Sequence, residues 1–299
     1  MEIKSIGIVG AGQMGSGIAQ VAAQCGLSVV MYDLNTKSIE PGLSAITKSL
    51  NKSIEKGRLD AADKTATIDR IKPSTDFNDL ETMDFIVEAV PEQENIKFQV
   101  FRDLDRLCKP ATILSSNTSS IPIGRLAAQT HRPQKVIGMH FMNPVPLMKL
   151  VEVIRGLATS EETFRTTWAL AERLDKTPAE ANDFPGFIAN RILMPMINEA
   201  VFALYQGVGS RDAIDTVMRS GMNHPMGPLE LADLIGLDTC LAIMETLFDG
   251  FKDSKYRPCP LLRKYVEAGW LGRKSGRGFY EYRGILDSHG MPVWHNPQP

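Results

Sequence analysis

The sequence predicts an α/β protein in two parts, a doubly wound and mostly parallel sheet followed by an all-helical C-terminal domain. Short apolar runs typical of strands alternate with helical patterns to about residue 184, and every pattern beyond that point is helical. A glycine-rich turn also joins the first strand pattern to the first helix pattern. We expect a first domain at 1–184, a second at 185–282 and a tail at 283–299.

The first domain opens with a strand, a glycine turn, a helix, a second strand and an acid. Ile6–Val9 leads into the turn Gly10–Gly15, apolar residues follow at helical spacing, and the strand Val29–Tyr32 ends at Asp33. This order is the dinucleotide-binding fingerprint of a Rossmann-type fold. A glycine triplet alone would fit an ordinary βα turn equally well, but the complete pattern favours dinucleotide binding.

Each position of the turn has a physical role in that fingerprint. Gly10 permits the tight turn, Gly12 lets the backbone approach a pyrophosphate, and Gly15 lets the helix pack against the strands. The start of the helix at Gln13 and Met14 presents free N–H groups to the anion. The turn is therefore predicted to hold the cofactor's diphosphate.

The acid after the second strand indicates which dinucleotide is bound. Asp33 is placed to accept hydrogen bonds from an adenosine ribose and to repel a 2′-phosphate, and no arginine follows it directly. The sequence therefore predicts NAD rather than NADP.

Composition and charge show no feature of nucleic-acid or membrane proteins. The formal net charge is −2 over 299 residues, and no apolar run reaches the length of a membrane helix. The four cysteines are scattered, which favours reduced thiols, and the chain enters its first strand without room for a signal peptide. We expect a cytoplasmic protein that binds neither nucleic acid nor membrane.

A long polar segment follows the acid. Apolar residues recur at helical spacing from Thr36 to about Arg70, and Gly57 is expected to divide the segment into two helices. Because the segment is longer than an ordinary crossover, we expect a projecting arm. Five polar residues lie along one side of it, which suits either a solvated face or a binding surface for an anionic ligand: Ser44, Lys48, Ser49, Lys52 and Lys56.

Polar side chains cluster where later strand patterns end. Glu92 and Lys97 follow the strand at 84–90, the run Ser116–Ser120 follows the next, and His140 and Asn143 end the third. Ligands of open α/β sheets bind at the carboxyl ends of the strands. These side chains are therefore candidates for one site.

His140 is the candidate general base, because a dehydrogenase needs a proton acceptor that titrates near neutral pH. Glu152, on the next strand, could hold the imidazole and stabilise the imidazolium, the alternative being a surface carboxylate. Ser119 could hydrogen-bond the reacting oxygen or cap a helix. Asn190, on an otherwise apolar helix, needs a partner, either across a domain cleft or within its own helix.

Other chemistries fit less well. A Ser119–His140–Glu152 triad would suggest an acyl hydrolase, but the G-x-S-x-G elbow is missing and the nucleotide motif would go unused. His289 and His295 are expected to be tail residues, and no metal-ligand spacing occurs, so no metal is expected.

The second domain begins with a helix, 187–205, that is apolar nearly all round. Such a helix is typically buried on more than one side, so we expect it to pack against a second copy of the chain. Further helices are predicted at 211–220, 228–248 and 261–268.

Several segments together resemble the L-3-hydroxyacyl-CoA dehydrogenase family, in order and up to about Tyr282. His140–Pro146 (HFMNPVP) and Pro185–Arg191 (PGFIANR) are far more specific than the glycine turn. The others are Gly10–Gly15, Val87–Ala89, Ser116–Ser120, Met148–Val153, Pro225–Pro228 and Gly276–Tyr280.

The resemblance implies NAD-dependent, reversible oxidation of a short-chain L-3-hydroxyacyl-CoA, similar to 3-hydroxybutyryl-CoA, to the 3-oxoacyl-CoA. It implies that His140 is the general base, that Glu152 orients it, and that Ser119 and Asn190 hold the substrate oxygen. Further positions implied to contact the dinucleotide are Asp33, Glu92, Lys97, Ser119, Asn143 and Lys274, and those implied to contact CoA are Ser49 and Lys56.

The resemblance also implies a homodimer formed through the helical domain. Two alternatives stay open: an NAD-dependent dehydrogenase of a non-CoA hydroxy or sugar acid, and an NAD-binding protein repurposed like a crystallin. The preferred acyl length and the physiological direction are not readable from the sequence.

Overall fold

A computed structural model describes residues 2–282 of the chain. Its strands form one sheet in the order β3-β2-β1-β4-β5-β6-β7-β8. Neighbouring strands pair in parallel, except that β7 runs antiparallel to β6. The predicted mostly parallel sheet is confirmed. The strands are β1 (Ser5–Val9), β2 (Ser28–Tyr32), β3 (Ile71–Ser74), β4 (Phe85–Glu88), β5 (Ile113–Ser116), β6 (Val136–Phe141), β7 (Leu150–Arg155) and β8 (Thr177–Asn182).

Helices cover both faces of this sheet. Ile8 belongs to one buried apolar cluster and its neighbour Val9 to another, as expected when successive side chains of a strand point to opposite faces and both faces are covered. The helices that accompany the sheet are α1 (Gln13–Gln24), α2 (Thr36–Glu55), α3 (Ala61–Asp69), α4 (Glu94–Leu107), α5 (Ile123–Ala127) and α6 (Glu161–Arg173).

Two strands were not predicted, and both lie at an edge of the sheet. β3 contains Pro73 and β8 contains Pro178, a residue that cannot donate to a strand ladder and is therefore confined largely to edges. Most of their residues are partly or fully exposed, so neither shows the apolar run of a central strand.

The polar segment after Asp33 forms two helices, as predicted. Gly57, at φ +65°, lies between α2 and α3. α2 packs by a buried stripe that includes Ile39, Ile46 and Leu50, and its remaining residues are exposed or partly exposed. The arm therefore rests on the sheet domain by its apolar side and leaves a polar side outward.

The chain divides into two compact units, and the second begins at Ile188. The second unit is helical, as predicted, but the single helix expected at 228–248 is wrong. Gly236, at φ +103°, separates two shorter helices there. The helices are α7 (Ala189–Tyr205), α8 (Arg211–Thr216), α9 (Pro228–Ile235), α10 (Leu237–Phe251) and α11 (Pro260–Glu267). The predicted tail at 283–299, with His289 and His295, lies outside the described residues.

Candidate functional site

The glycines of this turn leave the backbone at the start of α1 uncovered by their own side chains. Gly10 has φ +105°, and a Cβ there would lie 2.6 Å from the carbonyl oxygen of Ala89. A Cβ at Gly15 would lie 1.8 Å from the carbonyl oxygen of Gly10, so packing demands glycine at both positions. At Gly12 a Cβ would meet no atom of the described chain within 4 Å.

The open space at Gly12 lies next to the start of α1, at Gln13 and Met14. Within residues 2–282 no side chain caps this helix end. Its unused N–H groups and its positive dipole end suit a phosphate group. The turn therefore fits the diphosphate of a dinucleotide.

Asp33 has a structural role that the sequence did not reveal. Its Oδ2 accepts a hydrogen bond from the Ala11 N–H at 2.8 Å, and its Oδ1 accepts one from the Leu34 N–H at 2.8 Å. Each carboxylate oxygen keeps a second acceptor site. Asp33 therefore fixes the glycine turn and can still accept bonds from ribose hydroxyls.

His140 and Glu152 are direct neighbours across the antiparallel pair β6/β7. His140 Nδ1 lies 2.8 Å from Glu152 Oε2, and the two residues are 6% and 1% exposed. With the carboxylate ionised and the imidazole neutral, Nδ1 carries the proton and Nε2 presents a lone pair, because an ionised carboxylate can only accept. The contact with Glu152 thereby orients the imidazole so that Nε2 can act as the proton acceptor.

The Nε2 atom of His140 faces a hydroxyl group. Ser119 Oγ lies 3.0 Å from His140 Nε2. The alternative that Ser119 caps a helix is not observed, because the first N–H groups of α5, those of Ile123 and Gly124, bond to the Asp183 carboxylate. The buried ring of Phe187 lies 5.9 Å from the imidazole ring and shields it from water.

Glu92 organises the loop that carries Ser119. Its Oε1 accepts from the N–H groups of Ser119 and Ser120 at 2.9 and 3.0 Å, and from the hydroxyls of Thr118 and Ser120 at 2.5 and 2.8 Å. Burial raises the pKa of Glu92, but the Lys97 charge and these hydrogen bonds outweigh it and lower the pKa. Glu92 is therefore a fixed anion.

Lys97 lies beneath Glu92, and its side chain is 1% exposed. Its Nζ donates to Glu88 Oε1 at 2.6 Å and to the Val90 carbonyl oxygen at 3.2 Å, and it forms an ion pair with Glu92 Oε2 at 3.2 Å. The direct cofactor contact implied for Lys97 stays a prediction.

Two residues of the run Ser116–Ser120, to which the sequence analysis gave no individual role, also shape this edge of the sheet. Asn117 Oδ1 accepts from the Phe141 N–H at 2.9 Å and so fixes the backbone beside His140. Ser116 donates to Glu88 at 2.6 Å. Their position at the end of a strand pattern was the available sequence signal, since their partners lie 24 and 28 residues away in sequence. Asn143 follows β6 and is exposed.

A groove of about 470 Å³ runs between α2 and the glycine turn. Ser49, Lys52 and Lys56 line it, whereas Ser44 and Lys48 are not among its lining residues. Arg58 adds a third cation to the lining. The arm therefore presents a basic groove, which favours the binding-surface interpretation over a merely solvated face.

Comparison with known proteins decides the family. Residues 5–184 match the family model described as "3-hydroxyacyl-CoA dehydrogenase, NAD binding domain", and residues 186–282 match "3-hydroxyacyl-CoA dehydrogenase, C-terminal domain". The chain belongs to the 3-hydroxyacyl-CoA dehydrogenase family. The predicted family and the NAD cofactor are confirmed, and the chain is an NAD-dependent oxidoreductase.

Individual relatives align along nearly the whole chain. A protein of Bacillus subtilis named "Probable 3-hydroxybutyryl-CoA dehydrogenase" is 61% identical over 94% of this chain and 98% of its own length. The 3-hydroxybutyryl-CoA dehydrogenase of Bradyrhizobium diazoefficiens is 53% identical over 94% of this chain and 96% of its own length. The solved (S)-3-hydroxybutyryl-CoA dehydrogenase of Ralstonia eutropha is 49% identical, with a TM-score of 0.93 over 95% of this chain and all of that one (100%).

Two positions that the family resemblance assigns lie in the second unit. Asn190 is the second residue of α7 and is 8% exposed. Lys274 Nζ lies 2.5 Å from Asp238 Oδ1 within the same unit. The substrate role of Asn190 and the cofactor role of Lys274 stay predictions.

Two searches of the described residues complete the site description. No helix within 2–282 is both long and apolar enough to cross a membrane. In the same range, no group of three or more His, Cys, Asp or Glu side chains is arranged to hold a metal ion.

Proposed function

We propose that this member of the family catalyses the NAD-dependent, reversible oxidation of short-chain L-3-hydroxyacyl-CoA, with 3-hydroxybutyryl-CoA as its substrate, to 3-oxoacyl-CoA. The observation that carries the proposal is His140 held between Glu152 at 2.8 Å and Ser119 at 3.0 Å. The substrate is proposed from the names of relatives at 61% and 53% identity.

The acid–base chemistry belongs to the chain's own residues. Nε2 of His140 takes the proton of the C3 hydroxyl, and Glu152 stabilises the imidazolium that forms. Ser119 Oγ then donates to the oxygen that becomes the ketone. A bound NAD⁺ would supply the acceptor for the hydride that leaves C3, so that the C–H and O–H bonds break as C=O forms. Proton transfer of this kind contributes about 10²–10⁴-fold.

Most of the residues proposed to hold the dinucleotide lie at the glycine turn and at the strand ends. Gly12 and the start of α1 receive the diphosphate, and Asp33 receives the ribose and rejects a 2′-phosphate. Asn190 is proposed to share the substrate oxygen with Ser119. The remaining proposed cofactor contacts are Gly10, Gln13, Met14, Gly15, Glu92, Lys97, Ser119, Asn143 and Lys274.

The basic groove beside α2 is proposed to hold the CoA part of the substrate. CoA carries phosphate groups, and the groove presents Lys52, Lys56 and Arg58 with the hydroxyl of Ser49. Cations on a shared wall attract such an anion and orient it.

A substrate series tests the proposal. NADH oxidation is followed by absorbance with acetoacetyl-CoA, with longer 3-oxoacyl-CoA esters and with free acetoacetate, and each is repeated with NADPH. We expect rapid turnover with acetoacetyl-CoA and NADH only. Faster turnover of the free acid would favour a non-CoA substrate, and NADH binding without turnover would favour a repurposed protein. Release of CoA without nucleotide would indicate a hydrolase.

We also propose a homodimer formed through the helical unit. A groove of about 750 Å³ runs along α7 and is lined at helical spacing by Ile192, Pro195, Met196 and Phe202. Ile192 is 67% exposed in the single chain and lies beside the other apolar side chains of this groove, and an apolar patch of this kind marks an interaction site. A second copy of α7 is the proposed occupant.

We place the protein in the cytoplasm. All four cysteines lie in the described part of the chain and are free thiols, as is usual in a reducing compartment. Fractionation of cells that express a tagged chain tests this placement.

A further inference from the structure

Two buried polar residues end neighbouring strands and have no role in the chemistry above. Glu88 is the last residue of β4 and Ser116 the last of β5, and their Cα atoms are partners in the parallel pair. Both are fully buried, at 0% exposure. Ser116 Oγ donates to Glu88 Oε2 at 2.6 Å.

The other oxygen of Glu88 connects to the site through Lys97. Glu88 Oε1 accepts from Lys97 Nζ at 2.6 Å and from the Val90 N–H at 2.8 Å. The same ammonium lies 3.2 Å from Glu92 Oε2 and so bridges two carboxylates. Burial raises the pKa of Glu88 against these donors. A buried ion pair of this kind is weak evidence for stability, since well-packed apolar residues often stabilise equally well.

From Glu92 the contacts continue to the imidazole. Its second oxygen accepts the N–H groups of Ser119 and Ser120 at 2.9 and 3.0 Å, and Ser119 Oγ lies 3.0 Å from His140 Nε2. Every step is a hydrogen bond or ion pair, so the place of the Ser119 hydroxyl depends on groups that never reach the substrate.

We propose that Glu88 and Ser116 are positioning residues of the dehydrogenase reaction: they fix Lys97 and Glu92, and through them the Ser119 hydroxyl on His140. This inference rests on the proposed function, because it gives Ser119 and His140 their roles in the reaction.

Ser116→Ala tests the proposal with Ser115→Ala as a matched control. Ser115 precedes Ser116 on β5 and is equally buried, but its hydroxyl donates to the Ile86 carbonyl oxygen at 2.9 Å. We expect S116A to lower kcat for acetoacetyl-CoA reduction about tenfold, because it removes a bond to a buried charge, and S115A to change kcat less than about twofold. Thermal midpoints of the two variants should fall alike, and the dissociation constant of NADH should not change.

A double-mutant cycle separates positioning from stability. If Ser116 acts through the Ser119 hydroxyl, S116A should change kcat less than about twofold in a Ser119→Ala background. Fully additive losses would overturn the proposal. A weaker NADH affinity with unchanged kcat would also overturn it, since the network would then serve the cofactor.

Crystal structures of S116A and Glu88→Gln give a readout that does not depend on turnover. We expect the Ser119 Oγ–His140 Nε2 distance to lengthen beyond about 3.5 Å, the limit of a hydrogen bond. An unchanged distance in S116A, the variant with the smaller change, would overturn the proposal even if E88Q does not fold. Failure of the unmodified chain to reduce acetoacetyl-CoA would instead overturn the proposed function.

Discussion

Two glutamates near the site contact different kinds of basic side chain. Glu92 lies 3.2 Å from the Lys97 amine, and its carboxylate fixes a loop. Glu152 contacts His140, whose ring gains a positive charge only when it takes a proton. In the proposed mechanism, the Glu152 carboxylate stabilises the charged imidazole that forms during the reaction, and interactions of that kind raise kcat rather than binding.

Glu152→Gln keeps the shape of the side chain and removes its charge. We expect kcat for acetoacetyl-CoA reduction to fall about 10²–10³-fold, because the imidazolium loses its stabilising anion. NADH affinity, measured by fluorescence titration, should not change. Glu180→Gln is the control, since Glu180 pairs with Arg155 on β7 and β8 and is exposed. Equal activity of E152Q and E180Q would contradict the mechanism.

At the scale of elements, the βα turn uses its glycines for two separable purposes. Gly15 is required by packing, because a Cβ there would lie 1.8 Å from the Gly10 carbonyl oxygen. Gly12 is required only if a ligand approaches, because a Cβ there would meet no atom of the described chain within 4 Å. Stability and binding should therefore respond to different substitutions.

Gly15→Ala should destabilise the fold by more than about 2 kcal/mol, because α1 must move away from the turn. Gly12→Ala should keep the thermal midpoint of the unmodified protein and weaken NADH binding at least about tenfold, since the methyl group occupies the space of the diphosphate. Calorimetric melting and NADH titration of both variants measure the two effects. Loss of stability in G12A with intact binding would reverse the assignment.

α4 is tied to the loop before β6 by one carboxylate. Asp105 accepts from the N–H and Nδ1 of His131 at 2.9 and 2.8 Å and from Arg132 Nε at 2.8 Å. Burial raises the pKa of Asp105, but these hydrogen bonds outweigh it and lower the pKa below its ordinary 3.8. A lowered carboxyl pKa contributes stability above the unfolded value, and this contribution is lost as the pH falls through the folded value.

Asp105→Asn should therefore lower the urea midpoint at neutral pH. The difference in urea midpoint between this variant and the unmodified protein should narrow below about pH 4, near the unfolded pKa. Urea unfolding over a pH series measures the difference. Asp103→Asn on the same helix is the control, since Asp103 is partly exposed and lies 3.7 Å from Arg106. A difference that stays constant with pH would show that the Asp105 charge is not the cause.

At the scale of the whole molecule, the sequence predicts what local patterns encode. The central strands, most helices, the βα fingerprint and the polar strand ends follow from periodicity and glycine placement. The pairing of β7 against β6, which sets Glu152 opposite His140, joins positions 12 residues apart, and the Ser116–Glu88 bond joins positions 28 apart. Such contacts depend on the order of the strands in the sheet and on burial, and a local sequence pattern encodes neither.

The proposed dimer also depends on the whole molecule, since in it an exposed apolar side chain on α7 gains burial from another copy. Ile192→Asp should shift the mass measured by light scattering from two chains to one, because a buried carboxylate without a partner opposes association. Leu157→Asp is the control: Leu157 is fully exposed in the first unit, and its replacement should leave the mass at two chains. A dimeric I192D, or an unmodified protein with the mass of one chain, would contradict assembly through α7.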